Sequence, residues 1–491
     1  MAGPVARQSA WALGSSAGTA VLQSATTALL ARFLAPADFG TASIVAIVAG
    51  LASALALLGL GAALTQARET TREDAAAVLG VSLALAALLA VTLAGVVGPL
   101  LGRALDAPAL PGLVALAALA LPLSAFQGVA IALLQRRLAF DVLARLQLAA
   151  VVGNAVLSLA LAAAGGGVLA LVVGRLLADA VVLPFALRCA DAPLRPRLDA
   201  TRAARFVRFG VPVAGTQVLI AAGSQIDTAV LAATLGVAAL GQYALAFTLV
   251  MLPAVRLASV VKAVAFAALS RSAPVGAAFE RQACSLLRQV SATCCPLALG
   301  LAVVAGDLVP LVLGPGWSDV SQLVVCLTPA GVVAAFGSAM GAVLLARGRP
   351  KVELGFAVFR VVALGALVYA GGRRAGAVGA ALGVSAYHLF GFPLLFVVLQ
   401  RFAGLPPARV ASALAPGLVA SLGMVLVVAV AGALVPGAPG TVRLALQVCV
   451  GALSYAALLR LGFPTAWDEL RATAREARAR TAGSVAPAAA G

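Results

Sequence analysis

Charge is scarce in this 491-residue chain: Asp, Glu, Lys and Arg make up 10% of it, against about 25% in a soluble globular domain. A soluble multidomain protein is excluded on that ground. Histidine is nearly absent, and a single residue, His388, excludes a histidine-rich metal site. The six cysteines (Cys189, Cys284, Cys294, Cys295, Cys326 and Cys449) lie mostly in or beside apolar segments, with neither CxxC nor His-paired spacing, so core packing is their expected role. Also missing are a G-x-x-x-x-G-K-[ST] phosphate loop, carboxylates paired at catalytic spacing, and a nucleophile with a histidine nearby. The chain is therefore expected to be no enzyme and to use no bound ATP, metal or organic cofactor.

What is abundant is apolar sequence. Hydrophobic residues fill 63% of the positions, in recurring runs of about 20 or more residues, long enough to cross a hydrocarbon core of about 30 Å as helices. The expectation is an all-α integral membrane protein with about fourteen transmembrane helices. The first run, Ser9 to Leu34, has no convincing small-residue cleavage site and leads straight into a second span, so it reads as a retained helix. Five more spans follow up to Leu187, giving an N-terminal six-helix bundle over 1–187. A basic, proline-containing loop then covers 188–209, a second six-helix bundle 210–400, two additional helices 401–463, and a polar tail 464–491.

The net charge of +17 would raise nucleic acid as a partner. The bases, however, sit in short segments between apolar runs and not on a folded basic domain, so orientation explains them better and no nucleic-acid partner is expected. With the N-terminus inside, 25 of the 34 lysines and arginines fall in inner segments, four (Arg103, Arg373, Arg374 and Arg443) in outer loops and five within spans. Both termini are thus expected to be cytoplasmic, in a bacterial inner membrane.

Sliding the two halves over each other gives a best offset of 201 residues. It lays Thr27, Ala28, Leu30, Ala31, Leu34, Ala37 and Gly40 on Thr228, Ala229, Leu231, Ala232, Leu235, Ala238 and Gly241. Such a repeat implies two similarly oriented bundles related by an axis along the membrane normal, with a cavity between them. Gly379-x-x-x-Gly383 is expected to pack helices within the chain.

Ionisable groups inside spans cost roughly 2.5–3.5 kcal/mol each at the bilayer centre, and such positions usually face a cavity. The basic ones are Arg32, Arg175, Arg256, Lys262 and Arg360, with Arg175, Arg256 and Arg360 deepest. A guanidinium stays charged when desolvated and grips phosphate bidentately, which suits a cavity holding a diphosphate head group. Local pairing or snorkelling is the alternative, favoured for Arg32 and Lys262 near span ends. Among the acids, Asp227 and Asp179 are the candidates for H⁺ or Na⁺ coupling: Asp227 has no local base, whereas Asp179 stands one turn from Arg175 and can also simply neutralise it. Asp307 is placed toward the outer interface, Glu353 near the inner one and His388 near mid-depth; Gln23, Gln127, Gln217 and Gln242 either meet sugar hydroxyls or tie helices together.

The stretch 29–40, LLARFLAPADFG, followed by 58–66, LGLGAALTQ, resembles the polysaccharide flippase family. These are the Wzx-type lipopolysaccharide-biosynthesis proteins of the multidrug/oligosaccharidyl-lipid/polysaccharide exporter superfamily. A second match runs from Gln225 to Ser270 through Asp227, Gly236, Leu240-Gly241-Gln242-Tyr243, Pro253 and Ala267-Ala268-Leu269-Ser270. The resemblance implies export of undecaprenyl-diphosphate-linked sugar units by alternating access, with the lipid-linked oligosaccharide and membrane lipids as partners, and with polysaccharide polymerase and glycosyltransferases as further ones. Where the family often has asparagine before the aspartate, this chain has Ser224 and Gln225, a departure at the coupling position.

Two rival functions share these features. An ion-coupled exporter of small drugs or metabolites would use Asp227 as its coupling acid, but the basic excess among the intramembrane charges runs against a cation-binding cavity. A non-transporting scaffold for polysaccharide synthesis would have those charges pair only with each other.

Overall fold

The computed structural model describes residues 18–19, 22–67, 69–192, 195–269, 276–346, 350–435, 437, 439–472 and 475. Among them the chain is helical with no strand, as lipid requires when every backbone polar group must be satisfied within its own segment. In chain order the helices are α1 (22–30), α2 (Pro36–Leu57), α3 (Leu60–Gln66), α4 (Arg72–Thr92), α5 (Gly98–Ala104), α6 (Leu110–Ala118), α7 (Ala120–Arg136), α8 (Phe140–Ala163) and α9 (Leu169–Ala190). There follow α10 (Ala200–Ser224), α11 (Ile226–Leu269), α12 (Ala277–Leu313), α13 (Ser318–Ala346), α14 (Pro350–Val398), α15 (Pro407–Ala433), α16 (Gly440–Gly462) and α17 (464–472).

Twelve helical stretches among the described residues are long and apolar enough to cross a membrane. One of them, Phe359–Ala403, is two helices joined at Ala375–Gly376. Across that reversal Gly379 lies on Gly371 and Gly383 on Leu367, so closely that a β-carbon at either glycine would meet the facing backbone. The G-x-x-x-G pair therefore packs two antiparallel helices of the same chain. The first predicted span enters the described residues only at 18–19 and 22–34, as helix and turn, and the rest of it lies outside them. Counted this way, the chain agrees with an expectation of about fourteen.

Helix starts follow local chemistry. Pro36 opens α2 from an extended Ala35, whose amide N–H donates to the Asp38 carboxylate at 3.0 Å. Thr71 and Asp74 cap α4 reciprocally, the Asp74 N–H donating to Thr71 Oγ1 and the Thr71 N–H to Asp74 Oδ2. Asp199 does the same for α10, accepting from the Arg202 N–H at 3.0 Å. That cap corrects the predicted loop 188–209. Among the described residues of that stretch only 191–192 and 195–199 are non-helical, because Arg202, Arg205 and Arg208 recur at helical spacing on the exposed side while Ala203 and Phe206 are buried.

The chain divides into two compact units. One comprises 14–244 together with 357–365. Its core joins Leu60 and Leu64 of α3 to Val78 and Leu79 of α4, Val129 of α7 and Phe206 of α10. Leu58 and Gly59 both take left-handed backbone angles, kinking the chain between α2 and α3, and Gly59 sits directly under the Gly210 carbonyl, where a side chain has no room. The other unit comprises the described residues within 245–356 and 366–475. Its core is built on α12, with Phe279, Leu286, Leu287 and Val290 packed against Phe336 and Met340 of α13 and Val410 and Leu414 of α15. Cys284, Cys294 and Cys295 are buried there as expected, while Cys189 and Cys449 are exposed.

Candidate functional site

The predicted seventh span, Val211 to Leu235, is not one helix. α10 ends at Ser224, Gln225 leaves helical geometry (φ −120°, ψ 5°), and α11 begins at Ile226. No Pro or Gly stands at the break itself. Ser224 Oγ donates back to the Ala221 carbonyl at 2.8 Å and the Gln225 N–H to the Ala222 carbonyl at 3.2 Å, so the end of α10 is closed off locally. The ladder resumes with the Ala229 N–H donating to the Gln225 carbonyl at 2.9 Å. Discontinuous membrane helices place ends of opposite polarity at depth, a recurring way to build ion and substrate sites.

Asp227 lies in the first turn after this break and is 3% exposed. Its Oδ2 accepts a 2.5 Å hydrogen bond from the hydroxyl of Tyr243, itself wholly buried, and Thr228 Oγ1 stands 3.5 Å from Oδ1. In a straight helix, residues 16 positions apart are about 24 Å apart. They meet here because Gly236, at φ 80° and ψ 176°, reverses α11 and folds one arm back on the other. That backbone region belongs almost wholly to glycine. No Lys, Arg or His nitrogen among the described residues lies within ion-pair distance of the Asp227 carboxylate.

Arg360 stands beside the same break. A β-carbon added at Gly223 would be 3.4 Å from Arg360 Nη2 and 3.2 Å from Val361 Cγ2, and one added at Gly365 would be 3.2 Å from Ile226 Cγ1. The segment 357–365 thus runs along the end of α10 and the start of α11. Arg360 Nε is buried and has no hydrogen-bond partner among the described residues, and no carboxylate there pairs with the guanidinium. A buried, unsatisfied, permanently charged donor is costly until something anionic or carbonyl-bearing meets it.

The other residues singled out from the sequence do not gather here. Arg175 donates to Asp179 Oδ2 at 2.8 Å along α9, with its side chain 67% exposed, so the neutralising pair expected from i,i+4 spacing forms. Gln127 Nε2 also reaches the Asp179 carbonyl at 3.2 Å, tying α7 to α9. Arg32 is exposed in the turn that follows α1. Arg256 and Lys262 have side chains outside the described residues, on the helical backbone of α11, as does Glu353 on α14. Asp307 accepts from Nε and Nη2 of Arg443, and His388 Nδ1 is 2.9 Å from the Val384 carbonyl one turn back, so both have structural partners. Tyr243 was not singled out from the sequence as a site residue; the signal for it was the glycine lying roughly midway between it and Asp227.

A charged network lies at the linker between α9 and α10. Arg197 and Arg202 reach Glu73, Arg205 reaches Asp74 at 2.6 Å, and a shallow cavity of about 390 Å³ is lined by Thr71, Asp74, Thr201, Arg202 and Arg205. The Arg197 N–H donates to the Ala76 carbonyl at 3.0 Å, and Gly80 leaves space for the Arg197 backbone. The Arg202 backbone N–H, outweighing a slight desolvation, holds the Asp199 carboxyl below the usual carboxylate range.

Comparison with known proteins agrees with this architecture. The chain is 25% identical over 377 residues to the lipopolysaccharide biosynthesis protein WzxC of Escherichia coli K12, covering 76% of each chain. It is equally identical over 376 residues to a membrane protein of the cps region of Klebsiella pneumoniae, covering 76% of this chain and 77% of that one. Its fold matches that of the lipid II flippase MurJ in an inward closed conformation, with a TM-score of 0.77 at 14% identity over 92% of this chain and 98% of the other. An inward-facing multidrug resistance MATE transporter matches with a TM-score of 0.59 at 17% identity, over 78% and 95% of the two chains. Residues 29–322, more than half of the sequence, match the family described as polysaccharide biosynthesis protein, and this multi-pass membrane protein belongs to that family.

Proposed function

We propose that the protein flips an undecaprenyl-diphosphate-linked oligosaccharide from the cytoplasmic to the outer leaflet of a bacterial inner membrane, both termini facing the cytoplasm. The observation that carries this reading is Arg360, a guanidinium beside a broken membrane helix with a buried Nε that nothing among the described residues satisfies. A diphosphate supplies the charge and the acceptor oxygens that such a group lacks. Arg256 is the second expected contact with the diphosphate, with Lys262 and Arg32 nearer the span ends to guide the head group in. Arg175, paired with Asp179, keeps an exposed charge neutral until an anion competes for it.

Asp227 is the coupling group in this reading. A buried carboxylate met by the Tyr243 and Thr228 hydroxyls, with no cation beside it among the described residues, is stable when a proton or Na⁺ accompanies it, and its cost changes when that ion leaves. The cycle then exchanges an ion at Asp227 for a head group at Arg360 while the lipid tail stays in the bilayer. Voltage assists, since moving roughly two negative charges outward, down an inside-negative potential, gains about 4.6 kcal/mol per 100 mV.

The test is flipping of a fluorescent lipid-linked sugar in proteoliposomes by the wild type and by Arg256→Ala/Arg360→Ala. The double variant should remain folded in the membrane and move no glycolipid. Full movement would remove the diphosphate role, and movement of small drugs in place of glycolipid by the wild type would favour the exporter.

A further inference from the structure

Gly40 near the start of α2 and Gly241 on the returning arm of α11 face each other, both buried. A β-carbon at Gly40 would overlap the carbonyl of Val237, and one at Gly241 would overlap the carbonyl of Pro36. The next neighbours repeat the pattern: Gly241 N lies 3.0 Å from the first position and Gly40 N 2.9 Å from the second. Residue 36 plus 201 is 237, and 40 plus 201 is 241. Each partner in one contact is the repeat-mate of a partner in the other, the signature of a local two-fold axis passing between them. Only a residue on such an axis touches its own counterpart.

We infer that this glycine pair is the outer gate of the transport cycle, an inference that rests on the orientation and alternating access proposed above. Both turns, the one ahead of Pro36 and the one at Gly236, fall on the outer side when the basic segments lie inside. Opening a cavity between two repeats toward the outside must separate whatever meets on the axis at that side. Two features suit the contact to repeated breakage. Its closest approach is backbone to backbone, each glycine turning its Cα–H toward a facing carbonyl, an interaction weaker than an amide hydrogen bond. No ion pair between described residues crosses it. Absence of side chains lets the closed backbones approach, and water satisfies both carbonyls once they part.

The test uses the full chain in cell membranes with Cys189→Ser, Cys326→Ser and Cys449→Ser, and with Ala35→Cys and Ala238→Cys, two exposed positions flanking the contact. A short, reducible bismaleimide should join the two thiols, reduce glycolipid flipping at least about tenfold and release it on reduction, because the minor state needed for turnover is removed. Gly40→Val and Gly241→Val should each raise the rate at which an impermeant maleimide added outside labels Ala35→Cys. Failure of the linker to join the thiols, full flipping by the joined protein, or unchanged labelling in both valine variants overturns the gate. Labelling only from the inner side overturns it too, together with the orientation. Linking and labelling need no cargo, so a protein that links and labels as expected yet moves no glycolipid loses the proposed function and keeps the gate. If the valine variants do not reach the membrane, the linking experiment decides alone.

Discussion

The Tyr243 hydroxyl donates to the Asp227 carboxylate at 2.5 Å across the reversal at Gly236, so two residues of one predicted pair of spans form a single buried unit. Neither residue is a plain packing element: a carboxylate 3% exposed with no cation beside it among the described residues demands either an accompanying ion or strong hydrogen bonding.

Removing the hydroxyl tests that unit. Tyr243→Phe leaves Asp227 without its donor at a cost of about 1–3 kcal/mol, and should shift the external pH or Na⁺ dependence of flipping without abolishing it. Asp227→Asn should abolish the dependence altogether. The readout is initial flipping rate against an imposed ion gradient; an Asp227→Asn protein with an unchanged gradient dependence would place coupling elsewhere.

The turn that joins them is equally testable. A side chain at Gly236 forces a non-glycine residue into a backbone region that costs of order 1–3 kcal/mol. Gly236→Ala should lower the thermal midpoint measured in detergent and weaken coupling together, because both depend on the same reversal. Loss of one without the other would dissociate the turn from the pair.

How much of this was legible in the sequence depended on the physical scale of each feature. Apolar runs announce membrane helices directly, and Arg175 with Asp179 was readable from one-turn spacing alone. The break at Gln225 was not, because neither Gly nor Pro stands at it, and it is defined by where the α10 carbonyls find donors. The start of α10 was hidden for the opposite reason: Arg202, Arg205 and Arg208 made an amphipathic helix end look like a basic loop. Gly40 and Gly241 were aligned by the offset, but only coordinates put them in contact.

That hidden helix start gives a pH prediction. The Arg202 N–H depresses the Asp199 carboxyl, so its contribution is complete above the ordinary, unfolded-chain carboxylate range and is lost as pH falls through the lower folded value. Asp199→Ala should lower the thermal midpoint at neutral pH, and the gap to wild type should close on acidification below that range. A gap that widens on acidification would assign the cap elsewhere.

Arginine chemistry at position 360 separates specific recognition from simple charge. Arg360→Lys keeps the charge and loses the planar fork, so it should retain part of the flipping rate that Arg360→Ala loses. Gly223→Val, which crowds the guanidinium from the facing helix, should mimic the alanine variant with the arginine intact.

The most direct measurement is flipping of a fluorescent undecaprenyl-diphosphate-linked sugar by wild-type and Arg360→Ala protein at matched density in proteoliposomes. The account predicts that wild type moves the glycolipid and that the variant, equally folded, does not. Equal movement by both proteins would contradict it.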